Sequence, residues 1–244
     1  EADHCVMQFH QVFVRVISIG NSFAYQDAVN VALRFLHVVA EYVFIGEWGF
    51  IKGAVGSSIE VRDSVFQGNF TIGAYVFQGT DGPTIDRTQN SWILFDNNTV
   101  GAMKVGVNAA RNADNFSFTV SNHRGSIIAI SDAFALVQAL SVGLRFVLVV
   151  VDSISIASHA FLMGARHSWI EVMHCVVYGN FTIGEGAFQG SDGPTIDRTQ
   201  DSWILFDNNS VGAMKVGDRT ARHASNFSFT RRQRQRGAGQ WHLG

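Results

Sequence analysis

The sequence predicts an all-β fold, a right-handed parallel β-helix built from two internal repeats of 111 residues. Three observations carry this prediction. Blocks of sequence recur at a constant offset of 111. Short apolar segments alternate with polar turns along the whole chain. Paired asparagines follow strands directly, where a winding chain would turn a corner.

The repeat comes first. Asn69-Phe-Thr-Ile-Gly73 recurs as Asn180 to Gly184, Asp81-Gly-Pro-Thr-Ile-Asp-Arg-Thr88 as Asp192 to Thr199, and Asn115-Phe-Ser-Phe-Thr119 as Asn226 to Thr230. Between 69–119 and 180–230, 40 of 51 positions are identical, so one unit has been used twice. The register continues upstream more faintly. Leu33-Arg-Phe35 matches Leu144-Arg-Phe146, and Ile59-Glu-Val61 matches Ile170-Glu-Val172. The units are assigned to 7–118 and 119–230, followed by a basic tail, 231–244, that holds Arg231, Arg232, Arg234 and Arg236.

Within the first unit, strands are predicted at 17–19, 43–45, 58–61, 92–95, 103–105 and 116–118. The second unit repeats them at 127–130, 154–156, 169–173, 203–206, 214–216 and 227–229. Asn97-Asn98 and Asn208-Asn209 suit left-handed corners, with amides that can hydrogen-bond from one turn to the next. Phe116, Val147, Trp169, Trp203 and Phe227 would mark equivalent strand positions, at intervals of 31, 22, 34 and 24 residues. The segments 22–40 and 131–142 disagree, with helix-like starts at Ser22 and Ser131-Asp132 and few breakers. Read as helices, they would make the protein two tandem α/β domains, the alternative fold.

Composition narrows the function. An apolar fraction of 47% supports a core, while 16% charged residues and a net charge of −2 exclude a disordered polyelectrolyte and give no reason to expect nucleic acid. The apolar runs 31–46 and 144–151 are interrupted by Arg34, His37 and Glu41 or by Arg145, so no membrane span is expected. Cys5 and Cys175 allow at most one disulfide. No phosphate-binding glycine loop and no zinc spacing occurs, which leaves nucleotide chemistry and a histidine metal site without support. Asn69, Asn97, Asn115, Asn180, Asn208 and Asn226 each open an Asn-x-Ser/Thr sequon, which suits an extracellular or cell-surface protein and equally suits unglycosylated solenoid turns.

The acidic candidates are Asp81 and Asp86 with their copies Asp192 and Asp197; Asp-Gly-Pro also reads as a plain turn. If four coils separate the copies, Asp81 and Asp192 lie about 19 Å apart along the axis. Glycosidase carboxylates act about 5–9.5 Å apart, so the copies cannot serve one bond, and two weak sites along a polymer favour binding. His123 faces Arg234 in the alignment of the units, so the shared scaffold does not dictate it. Trp92 and Trp203 could stack on sugar rings, but their duplication within strands points to the core.

Gly79-Thr-Asp-Gly82, Ile85-Asp86 and Ser91-Trp-Ile-Leu-Phe with Asn97-Asn98 resemble the polygalacturonase family of right-handed β-helices. His123-Arg-Gly125 is similar to that family's Gly-His-Gly strand and Leu144-Arg-Phe146 to its Arg-x-Lys strand. Ala102 and Met103 stand where its aspartate pair belongs. A second resemblance is to pectate lyases, through Trp169-Ile-Glu-Val-Met-His-Cys175, Asp192-Gly with Ile196-Asp197, Met214-Lys-Val216, and the arginines 231, 234 and 236; Met173 replaces the aspartate expected before His174. The resemblances imply an acidic, galacturonan-like polysaccharide as partner. An enzyme would use Asp81 or Asp192 as its carboxylate and His123 as an assisting group, with Arg145, Lys215, Arg234 and Arg236 holding substrate carboxylates. A hydrolase would need no cofactor, whereas a lyase would hold calcium at Asp192 and Asp197. The rival from another class is a non-catalytic β-helical adhesin, carbohydrate-binding or structural repeat protein.

Overall fold

The structure, a computed structural model, describes residues 2–25, 28–51, 54–79, 88–136, 140–162, 165–189, 199–222, 224–232 and 241–243. Among them are strands and turns and no helix, and the strands pair in parallel. The fold is the expected parallel β-helix. In the first of its two long sheets Val6 stands level with Ala32, Ser58, Trp92, Ser117, Gly143, Trp169, Trp203 and Ser228, so eight turns separate nine strands. Successive coils take 26, 26, 34 and 25 residues and then repeat those lengths. The boundary at 118/119 falls inside the strand Ala113–Ser121, and pairing runs through it from Trp92–Asp96 to Leu140–Val147.

This register corrects the expected spacing. Phe116 is level with Val142, while Val147 pairs with Ser121 and Met173. Several columns of each coil point inward, so an apolar residue marks the interior without marking its height or column.

Corners explain the winding. In one coil Asn90, Asn97 and Asn108 have φ of 49°, 54° and 53°, and residues one coil away at the same corners are also left-handed: Asn115, Asn122 and Ala133. Asparagine tolerates this conformation because its amide bonds locally. Three such corners per coil turn the chain from the first sheet to the second, then to a short side of two-residue strands such as Ala135–Leu136 and Phe161–Leu162, and back. The same geometry overturns the helical reading of 22–40 and 131–142. Left-handed Ser22, Asn30 and His37 break the former, and Ala133 and Ser141 break the latter. The pieces between them pair with neighbouring coils as strands such as Ala32–Leu36. Apolar content alone could not separate these outcomes.

Strand alternation loads the interior. In Trp92–Asp96, Ile93 and Phe95 are buried while Trp92, Leu94 and Asp96 face outward. The expected core role of Trp92 and Trp203 is therefore corrected: both are half-buried on the outer face, and Trp203 stacks on Trp169 at 5.6 Å. Phenylalanines fill the inside instead. One ladder climbs through Phe50, Phe77, Phe116 and Phe134, with Phe50 and Phe77 stacked at 4.5 Å. Another runs through Phe35, Phe70, Phe95 and Phe118. Cys5 is exposed and Cys175 buried, and both are free thiols.

The paired asparagines divide their labour. Asn97 turns the corner and donates its amide to Asp63 Oδ1 at 2.7 Å. Asn98 points inward, accepts from the Ser64 amide at 2.9 Å and donates to the Val61 carbonyl at 2.8 Å. Asn209 does the same for Cys175 and Val172 in the second unit. Asn98→Leu would orphan a buried N–H and a buried C=O, at about 1–3 kcal/mol each. A fall of about 2–4 kcal/mol in unfolding free energy is expected by urea titration, and a fall under about 0.5 kcal/mol would refute the role given to this amide.

Candidate functional site

The outer face of the second sheet places chemically distinctive side chains in one line. Phe44, Thr71, Lys104, Ala129, Ser155, Thr182 and Lys215 occupy one outward column, each a coil beyond the last. Two columns away, Asn69 is level with Ala102 and Asn180 with Ala213. Each unit therefore presents an asparagine and a threonine on one coil and a lysine on the next: Asn69, Thr71 and Lys104, then Asn180, Thr182 and Lys215. The strands Val65–Ile72 and Val176–Ile183 carry a β-bulge just before the asparagine, which re-aims the outward side chains. Gly101 and Gly212 let the next coil approach it. A Cβ on Gly212 would run into the Tyr178 carbonyl oxygen. In the second unit the triplet opens on a recess of about 770 Å³ that also touches Glu185 and Asp218.

Charge separates the two faces. On the first sheet, three arginines meet carboxylates one coil away. Arg34 lies 3.4 Å from Glu60, Arg62 lies 3.8 Å from Asp96, and Arg145 contacts Glu171 at 2.7 Å. Partial burial works against the Asp96 carboxylate, but hydrogen bonds from Ser121 and Asn122 and the Arg62 charge outweigh it and hold its pKa below the ordinary value. On the second sheet Arg15 is paired with Glu41, but Lys104, Arg124 and Lys215 have no ion pair among the described residues. Both lysines are exposed.

The residues singled out from sequence separate in space. Lys215 belongs to the triplet just described. Arg145 is on the first sheet, held by Glu171 through Nε and Nη2. His123 sits at the corner between the sheets with its side chain turned inward, only 1% exposed, in the same column as Asn98 and Val149. Its Nδ1 has no hydrogen-bond partner, and burial pushes its pKa down to about 4. Asp81, Asp86, Asp192, Asp197, Arg234 and Arg236 lie outside the described residues. Among the described residues no three His, Cys, Asp or Glu side chains converge as metal ligands, and no helix is long and apolar enough to cross a membrane.

Sequence reasoning singled out Lys215 and missed Lys104, Thr71 and Thr182 as members of the same site. The signal was present: the repeated Asn-Phe-Thr-Ile-Gly and Met-Lys-Val segments hold all six triplet residues at the 111-residue offset. Only the register puts each lysine beside its threonine. No protein-family model, curated protein or solved structure matches this chain.

Proposed function

We propose that this solenoid binds an acidic, galacturonan-like polysaccharide along the outer face of its second sheet, as a binding module and not as an enzyme. The observation that carries the reading is the contrast in charge pairing. Arg34, Arg62 and Arg145 of the first sheet are matched to carboxylates of the next coil, whereas Lys104 and Lys215 stand exposed and unmatched among the described residues, four coils apart in a single column. A uronic acid offers a carboxylate for a lysine and hydroxyls for the neighbouring asparagine and threonine. The exposed ring of Tyr42, on the preceding coil next to the Val43–Phe70 pair and against Gly68, supplies an apolar surface for a sugar's C–H face.

Binding is favoured over cleavage by two features. The repeated triplets lie four coils apart, about 19 Å, too far for joint work on one bond. His123 is enclosed and neutral above about pH 4, so its ring nitrogens do not face a polymer on the second sheet.

Affinity electrophoresis through gels containing polygalacturonate tests the reading. Retardation is expected, weakening with salt and with methyl esterification of the polymer. Replacing Lys104 and Lys215 together with alanine is expected to lower affinity about tenfold or more, since a charge-assisted contact contributes about 1.5–3 kcal/mol. Unretarded migration of the wild type, or equal retardation of the double variant, refutes it. Release of reducing ends or unsaturated products would replace the binding module with an enzyme.

A further inference from the structure

We infer that the two triplets are unequal: the first is an anchoring subsite for sugar-acid units, and the second is a charge subsite filled only by a chain long enough to reach it. This inference rests on the binding reading above. The two triplets share residues and register, but their surroundings differ. On the coil before Asn69 and Thr71 stand Tyr42 and Phe44, 41% and 43% exposed. The equivalent residues before Asn180 and Thr182 are Ser153 and Ser155.

The Tyr42 ring lies against Gly68 in the bulge, where an added Cβ would come 2.5 Å from Tyr42 Cε1, so the ring is laid across the sheet as a floor. Tyr178, near the second triplet, is 69% exposed and stands off the sheet instead. The second recess also carries Glu185 and Asp218, where the first unit has Ala74 and Val107. Arg219 lies 3.8 Å from Glu185, while Asp218 repels a free anion.

A short acid therefore gains ring contact beside its hydrogen bonds and cation at the first triplet, but at the second the same hydrogen bonds and cation come without the ring and beside a carboxylate. Lys104 and Lys215 share one column four strands apart, so a linear chain laid along the axis and spanning about 19 Å reaches both. Once one end is anchored, the second contact forms at a high effective concentration, and linked engagement of this kind raises affinity by about 10²–10⁴.

Calorimetric titration of the full chain with a galacturonate trimer, too short to span about 19 Å, and a dodecamer, which exceeds it, tests the inference. The dodecamer is expected to bind about 1000-fold tighter, of which about tenfold is the statistical gain from its overlapping registers on one site. Lys215→Ala is expected to reduce the gap to that statistical tenfold by weakening the dodecamer far more than the trimer, whereas Tyr42→Ala weakens both ligands. A gap of about tenfold in the wild type, or a Lys215→Ala loss equal for trimer and dodecamer, overturns the inference and leaves the binding reading intact. Failure of both ligands to bind overturns the reading beneath it.

Discussion

Phe70→Ala is expected to lower the unfolding free energy by about 3–5 kcal/mol, the cost of truncating a fully enclosed phenylalanine that cannot be replaced by collapse of its surroundings. Phe70 enters from the second sheet, and its ring is met edgewise by Phe35 at 5.5 Å, Phe66 at 5.1 Å and Phe95 at 4.8 Å. These partners come from three coils. Because each coil of a solenoid touches only its neighbours, stability is close to a sum of coil–coil terms, and a cavity here weakens two successive interfaces together. Urea titration followed by far-ultraviolet circular dichroism reads the loss. Phe44→Ala, on the exposed outer face, serves as the comparison and is expected to change stability by less than about 0.5 kcal/mol. Equal losses for the two variants would refute the ladder as the main support of the fold.

Acidification provides the second large effect. Burial depresses the pKa of His123 from 6.5 to about 4, so between these values the unfolded chain takes up a proton that the folded chain refuses. Stability therefore falls as pH drops from about 6.5 to about 4 and the contribution is exhausted below that. The full loss is on the order of 3 kcal/mol. His123→Val is the informative variant, because Val149 fills the same inward column one coil later and Val12 is the equivalent residue of the first unit. It removes the unpartnered Nδ1 and is expected to flatten the profile across this window. Parallel pH profiles for the variant and the wild type would show that His123 is not the titrating group.

The candidate site was half legible before folding was considered. Lys215 was singled out through the resemblance of Met214-Lys-Val216 to a pectate-lyase strand, and the asparagine and threonine belong to a motif repeated at the 111-residue offset. Their juxtaposition was not legible, because Thr182 and Lys215 are neighbours only through a coil of 33 residues, one fewer than the 34 that separate Asp63 from Asn97 and Ser168 from Ser202, the bulge taking up the difference. Arg145 shows the reverse error. Its sequence neighbours offer it no acid, while Glu171, one 26-residue coil later, meets it at 2.7 Å. His123 was noticed for its mismatch with the repeat, and that mismatch turned out to be an inward substitution in a corner column.

The 111-residue period, the alternation within strands and the asparagine corners pointed to a parallel β-helix, since identical units wound in one direction bury their apolar faces on one another. They left two tandem α/β domains open until the left-handed corners within 22–40 and 131–142 closed that alternative. Coil lengths, the outward placement of the tryptophans and the matching of charges were decided by the tertiary structure. Each depends on residues 25 to 34 positions apart standing level. No local pattern encodes that offset, which emerges when backbone hydrogen bonds and phenylalanine stacking between coils are satisfied together.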